Sequence, residues 1–161
     1  MGLDIRSKSG IHFHIGYGGF MYMRNALMES LLPGFGAIHW WAVFSRGSTI
    51  PYLAEKGWNG EKGAMEYEIS SVTKATPRQF GECCNELLYT WCKANKLTAL
   101  WDILICHSDC DGKITASQCR RLIKNLDQFS PDDSDTYKNE FLAFRELVRS
   151  AANNNETLFF S

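Results

Sequence analysis

Residues 107–112, with the sequence His-Ser-Asp-Cys-Asp-Gly, place one imidazole, two carboxylates and a thiol between two segments with helical spacing. Imidazole nitrogens and carboxylate oxygens are common metal ligands, so His107, Asp109 and Asp111 form one candidate metal site. His107 and Asp109 could instead contact a small ligand. Asp and Gly are also preferred in turns, and loop architecture alone explains the segment. The sequence leaves these three interpretations open.

The same segment partly matches a calcium-binding loop of the EF-hand kind. Asp109, Asp111 and Gly112 occupy its third, fifth and sixth positions. The first position would be His107, and the last would be Gln118, which cannot supply the bidentate carboxylate that completes the calcium shell. We therefore expect no resident cofactor here and only weak binding of a divalent metal.

A glycine-rich turn near the start is a second candidate site. It follows a predicted strand and opens a predicted helix, an order in which backbone N–H groups and the helix dipole can hold a phosphate. The candidate ligand contacts in this turn and helix are Tyr17, Gly18, Gly19, Phe20 and Arg24. The spacing fits neither a P-loop nor a dinucleotide fingerprint, so a simple tight turn is the alternative.

Two histidines precede this turn on a predicted strand. His12 and His14 alternate with Phe13 and Ile15, which places both imidazoles on one face. That face could be the wall of a ligand site. Two half-exposed histidines on an edge strand would give the same pattern.

The middle of the chain is rich in tryptophan. Trp40 or Trp41 could stack on a base while Arg46 pairs with a phosphate. Core packing explains these aromatic residues equally well. Trp and Arg also anchor protein interfaces, so this segment could bind a host protein instead.

The elements that must position these residues indicate an α+β fold in a single domain, residues 1–161. Residues 3–7 and 11–15 predict a hairpin, and apolar spacing from Phe20 predicts a helix that ends before Pro33. Residues 38–44 and 65–72 resemble strands within a segment, 35–75, that is either a lid or an insertion.

The second half predicts successive helices. Capping boxes begin at Thr76 and Thr115, helical spacing continues through residues 97–105, and a last helix covers residues 137–148. Residues 157–160 predict a closing strand. We therefore expect a small antiparallel sheet, built from the N-terminal half and the C-terminal strand, packed against four to five helices.

Composition narrows the class of function. The chain has 161 residues, 17 basic and 18 acidic side chains and a formal charge of −1, so no overall field attracts extended nucleic acid or a membrane surface. The start lacks the pattern of a signal peptide, and no apolar run is long enough to span a membrane. We expect a cytoplasmic protein whose six cysteines are free thiols.

Three segments together resemble a family of small uncharacterised proteins from phages, prophages and actinobacteria. They are the MGLD start, the HIGYGGF segment with Arg24, and the HSDCDG loop. Residues 141–160 are similar too, whereas residues 40–63 depart from the pattern. The resemblance implies that the glycine turn and the His107 loop share one surface. It also implies a phage setting, where a protein of this size would be a counter-defence factor in the host cytoplasm.

These features together favour a non-enzymatic, homo-oligomeric binding protein that sequesters a small anionic or nucleotide-like ligand. One alternative is an inhibitor that binds a host defence protein through the Trp-rich middle. The other is a metal-dependent hydrolase built on the His107 loop. The sequence shows no complete set of acid, base and nucleophile, which argues against catalysis.

Overall fold

The computed structural model describes residues 2–31, 89–107, 111–132 and 136–161. In this part of the chain, four strands form one antiparallel sheet with helices against one face, so the predicted α+β class is confirmed. The elements are β1 (Gly2–Arg6), β2 (His12–Gly16), α1 (Tyr17–Leu31), a π-helix (Leu100–Ile105), β3 (Gly112–Ile114), α2 (Ala116–Leu126), α3 (Lys138–Asn153) and β4 (Leu158–Phe160).

The predicted hairpin is confirmed. β1 pairs antiparallel with β2, from Gly2 opposite Gly16 to Arg6 opposite His12. The Ser7 N–H donates to the Ile11 carbonyl at 3.0 Å, and Gly10 has a φ of +86°, which favours glycine in the turn. The turn therefore fixes which outward residues of the two strands face each other.

The C-terminal strand lies inside the sheet, whose order is β2-β1-β4-β3. β4 pairs with β1 and with β3, and reciprocal 2.9 Å bonds between the backbones of Asp4 and Ser161 continue the β1–β4 ladder. The predicted closing strand is thus confirmed. β3 is not predicted from the sequence, because three residues are too short to display an alternating pattern.

The core lies between the inner sheet face and the helices. Phe20 of α1 is fully buried, and its ring meets Phe144 and Phe160 edge to face at 5.8 and 5.9 Å. The strands contribute the following inward, buried side chains: Leu3, Ile5, Phe13, Ile15, Ile114, Leu158 and Phe160. Their alternation leaves the intervening residues on the outer face.

The segment before the His107 loop is helical, as predicted, but its last turns are a π-helix. The Cys106 N–H donates to the Trp101 carbonyl at 3.0 Å, five residues back. At the other end, the buried Asn125 side chain accepts from the Leu100 N–H at 3.0 Å and donates to the Lys96 carbonyl at 3.1 Å. Asn125 therefore ties α2 to the start of the π-helix.

The predicted capping box at Thr115 is confirmed. The Gln118 N–H donates to Thr115 Oγ1 at 3.3 Å, and the Thr115 N–H donates to Gln118 Oε1 at 2.8 Å. The helix expected over residues 137–148 is also present.

Several other predicted elements lie outside the described residues: the Thr76 capping box, the strands at 38–44 and 65–72, and the segment 35–75. Within the described ranges, no helix has both the length and the apolar character needed to cross a membrane.

Candidate functional site

The outer face of the sheet carries the polar residues of the strands. β2 alternates exposed and buried side chains, which confirms that His12 and His14 share one face. Asp4 and Arg6 of β1 face outward beside them, as do Phe159 of β4 and Lys113 of β3. This face therefore gathers residues from all four strands.

Asp4 lies at the centre of a cluster with His12 and His14, which we call the Asp4 cluster. Its Oδ1 is 2.7 Å from His12 Nε2 and 2.8 Å from His14 Nδ1, so the carboxylate accepts from both rings. The register explains this geometry, because Asp4 is directly opposite His14 and diagonal to His12. Arg6 Nη2 donates to the other carboxylate oxygen at 3.2 Å.

The neighbours of Asp4 keep it ionised. Hydrogen bonds from His14 and His12, helped by the charge of Arg6, hold the pKa of the Asp4 carboxyl well below its usual range. A fixed negative charge thus lies between two imidazoles. Among the described residues, this is the group of three side chains whose ligand atoms are close enough to hold a metal ion, all within 4.8 Å of one another.

Gly2 leaves the space that the His14 ring fills. A Cβ built on Gly2 would lie 2.6 Å from His14 Cε1 and 2.8 Å from His14 Nε2. Both distances are too short for a real side chain. The ring therefore lies over the Gly2 backbone, with its Nδ1 toward Asp4.

A second set of residues crosses the outer face from strand to strand. Arg6 is paired with His12 on one side and with Phe159 on the other, and Phe159 is paired in turn with Lys113. We call these four residues the outer row. The Phe159 side chain is 44% exposed and lies between two cationic residues. An aromatic ring flanked by cations can stack on a planar group and attract an anion.

The glycine turn predicted to hold phosphate forms the start of α1. Tyr17 is the first residue of this helix, and Gly18 is exposed. A Cβ on Gly19 would lie 2.7 Å from Ile15 Cγ1, so this glycine allows the helix to pack closely on β2. Phe20 belongs to the core, where its side chain is fully buried.

Arg24 is 3% exposed and points into the protein. Its Nη1 donates to the carbonyls of Leu104 and Ile105 at 3.3 Å each and of His107 at 2.9 Å. Its guanidinium also lies 4.8 Å from the centre of the Phe20 ring. Arg24 therefore satisfies carbonyl groups at the end of the π-helix, where helices leave acceptors without partners.

His107 packs against the sheet from the helix side. Its ring centre is 4.0 Å from that of the inward-facing Phe160, and it lies next to Gly112. Asp111 is exposed, and Asp109 lies outside the described residues. In the described part of the chain, neither His107 nor Asp111 belongs to a group of three metal-ligand side chains. Metal binding by the complete His107 loop stays a prediction.

The structure divides the predicted ligand residues into two groups. Arg24 meets the backbone of His107, so the start of the chain and the His107 loop do come together. Arg24 and His107 both lie on the helix side of the sheet, whereas His12 and His14 lie on the outer face. One pocket containing all four residues is therefore not formed. Trp40, Trp41 and Arg46, and with them the proposed host-protein interface, lie outside the described residues.

Sequence reasoning missed Asp4, Arg6, Lys113 and Phe159. The hairpin register could have identified the first two, because a turn at Ser9 places Asp4 opposite His14. Lys113 and Phe159 carry no such signal. They join the outer face only through the pairing of β4 with β1 and β3.

A scan against protein-family models finds no matching family, and searches of curated proteins and of solved structures return no match to this chain. The function proposed for the protein therefore rests on the geometry of its own residues.

Proposed function

We propose that the chain is a non-enzymatic binding protein that holds a small anionic, nucleotide-like ligand on the outer face of its sheet. The observation that carries this proposal is the outer row, in which the exposed Phe159 ring lies between Arg6 and Lys113. The ligand residues proposed here differ in part from those that the sequence suggested.

Phe159 would supply a stacking platform for the base. A nucleobase that stacks on an aromatic side chain contributes about 1–3 kcal/mol of binding free energy, whatever the base. An exposed phenylalanine on a sheet exposes apolar surface to water, and a stacked base would cover it. The exposed face of this ring is therefore accessible to a planar ligand.

Arg6 and Lys113 would supply the contacts to phosphate. Neighbouring strands are about 4.8 Å apart, so these residues, one strand away from Phe159 on either side, have backbones about 10 Å apart. A base over the central ring would have a cation within reach on both sides. The bond from Arg6 to Asp4 orients the guanidinium, whose fork has further N–H groups for a phosphate.

Binding without reaction is a mode of action that suits a counter-defence factor. Such a protein would act by sequestering a signal nucleotide of the host at a stoichiometric ratio. We propose the cytoplasm as the place of action, because nucleotide signals of this kind are formed there. A ligand recovered unchanged after long incubation would agree with sequestration, whereas steady turnover would contradict it.

Titration calorimetry with a panel of cyclic and ADP-ribose-type nucleotides tests the proposal directly. We expect at least one nucleotide to bind, and to bind more tightly than inorganic phosphate because only the nucleotide can stack. F159A should weaken nucleotide binding by about fivefold or more, as loss of one stacking contact implies. K113A should weaken it as well, and added salt should reduce the affinity.

Lys124 provides a matched control, because it is an exposed lysine on α2, away from the outer row. K124A removes the same charge from the chain as K113A and should leave the affinity unchanged. If both lysine variants lose the same affinity for the nucleotide, the effect of K113A comes from the net charge of the protein and not from a contact in the outer row. No binding across the whole panel would overturn the proposal.

A further inference from the structure

We propose that Asp4, His12 and His14 form a site for one divalent transition metal ion of the zinc or nickel kind. This inference goes beyond the nucleotide proposal and does not depend on it. The metal site needs none of the stacking or phosphate contacts of Phe159 and Lys113.

The donor set has the chemistry of a transition-metal site. Two imidazoles and one carboxylate are ligands that zinc, nickel and related ions prefer, whereas magnesium and calcium prefer oxygen ligands. Three protein ligands leave coordination positions for water or a bound molecule. The set therefore predicts an open site that selects transition metals.

The three ligand atoms can surround one ion if the exposed side chains adjust. The carboxylate oxygen is now 2.7 and 2.8 Å from the two ring nitrogens, with a proton between each pair. Ligand atoms around tetrahedral zinc are about 3.4 Å apart, because each lies about 2.1 Å from the ion. To admit the metal, Asp4 Oδ1 would move back from each ring by about half an ångström, and the two ring nitrogens, which lie within 4.8 Å of each other, would come closer by up to about 1.4 Å. Each ring proton would move to the other nitrogen of the same ring.

The backbone holds the three ligands in place before any metal arrives. Asp4 and His14 are directly paired across the hairpin, and His12 lies one pleat away on the same face. Gly2 leaves room for the His14 ring in an orientation that turns Nδ1 toward Asp4. A site that needs little rearrangement loses little entropy on binding.

An ion in solution can reach these side chains. The His12 and His14 side chains are 46% and 59% exposed, and that of Asp4 is 27% exposed. Exposure also makes substitutions at these positions compatible with folding, because no core contact is lost. Binding and stability can therefore be measured separately.

The test is calorimetric titration of the full chain with Zn²⁺ and with Ni²⁺, and with Mg²⁺ for comparison. We expect one Zn²⁺ or Ni²⁺ per chain and no measurable heat from Mg²⁺. H14A and D4N should each lower the affinity by about tenfold or more, the scale seen for groups that support a metal site. Electron paramagnetic resonance of the Cu²⁺ complex should show coupling to two imidazole nitrogens, and to one in H14A.

Two further variants distinguish metal binding at the Asp4 cluster from metal binding elsewhere on the chain. G2A keeps all three ligand side chains but forces the His14 ring to move, so it should weaken metal binding as well. C106S removes an exposed thiol that could compete for zinc, and it should have no effect. Absence of Zn²⁺ and Ni²⁺ binding, or binding that H14A and D4N leave unchanged, would overturn the proposal. If the chain binds a nucleotide but neither Zn²⁺ nor Ni²⁺, the metal proposal fails and the outer-row proposal stands.

Discussion

At the scale of single residues, surroundings decide what a side chain does. Arg24 has the sequence position of a phosphate ligand, yet it lies inside the protein and donates to the carbonyls of Leu104, Ile105 and His107. Asp4 belongs to no metal-binding or ligand-binding motif that the sequence shows, yet two imidazoles and a guanidinium surround its carboxylate. Residue type alone therefore does not separate a structural role from a binding role.

The structural role of Arg24 predicts a loss of stability on its removal. R24M keeps an apolar side chain of similar length but leaves the carbonyls at the end of the π-helix without their donor. Because bonds from a charged group contribute about 1.5–3 kcal/mol, we expect a loss of about 2 kcal/mol in the free energy of unfolding. Urea denaturation would measure it. R24M as stable as the parent chain would contradict this role.

Two buried thiols predict the behaviour of the protein at high pH. Burial raises the pKa of the Cys92 thiol to about 12 and that of Cys119 to about 11, from an ordinary value of 9.0. Between pH 9 and about 12 the folded chain therefore keeps protons that the unfolded chain releases. The free energy of unfolding should be unaffected by these thiols below pH 9 and should fall as the pH rises above it.

Thermal unfolding measured from pH 8 to 11 tests this prediction. A chain with both C92A and C119A has a lower stability at the start, because two buried side chains are shortened, but it should lose less stability as the pH rises. If the stability of the two proteins falls equally steeply with pH, Cys92 and Cys119 are not the groups responsible.

Thiol labelling gives a second test of burial. In the native state at pH 8, iodoacetamide should modify the exposed Cys106 before the buried Cys92 or Cys119.

At the scale of elements, Asn125 explains how the π-helix is fixed to α2. Its buried amide bonds the Leu100 N–H and the Lys96 carbonyl. N125L would leave the buried Leu100 N–H without its acceptor, at a cost of about 1–3 kcal/mol, and would also remove the donor to the part-buried Lys96 carbonyl. Q128A is the matched control, since it removes an exposed amide just beyond the same helix and should change stability by less than about 0.5 kcal/mol. Equal effects in denaturant titrations would contradict the role of Asn125.

Local elements could be predicted from the sequence, and long-range pairings could not. The hairpin around Ser9, the helix that begins at Tyr17 and the Thr115 capping box all depend on neighbours a few residues away, which local patterns display. The outer row and the strand Gly112–Ile114 depend instead on pairing with the C-terminal strand. Phe159 is more than 40 residues after Lys113 in the sequence and some 150 residues after Arg6. Alternation along a strand shows its two faces but not its partner.

At the scale of the whole molecule, the sheet separates a packed side from an open side. β4 shows both, because Phe160 faces the core while its neighbour Phe159 faces outward. F160A removes a ring that packs on Phe20 and His107, so we expect a loss of about 3–5 kcal/mol. F159A should cost less than about 1 kcal/mol, because Phe159 is 44% exposed on the outer face of the sheet.

Chemical denaturation should measure the free energy of unfolding of F159A and F160A, which carry the same Phe-to-Ala substitution at adjacent positions of β4. Similar losses of stability would mean that the outer face is also packed, and the binding role of this face would then lose its basis. A large loss for F160A alone would agree with a sheet in which Phe159 is available for a ligand.

The most direct test of a functional outer face is a nuclear magnetic resonance titration of the full chain with the tightest-binding nucleotide of the panel. The amide signals of Arg6, Lys113 and Phe159 should shift together and saturate with one affinity. Shifts confined to the start of α1 and to the surroundings of Arg24 and His107, with the outer row unchanged, would contradict a binding role for this face.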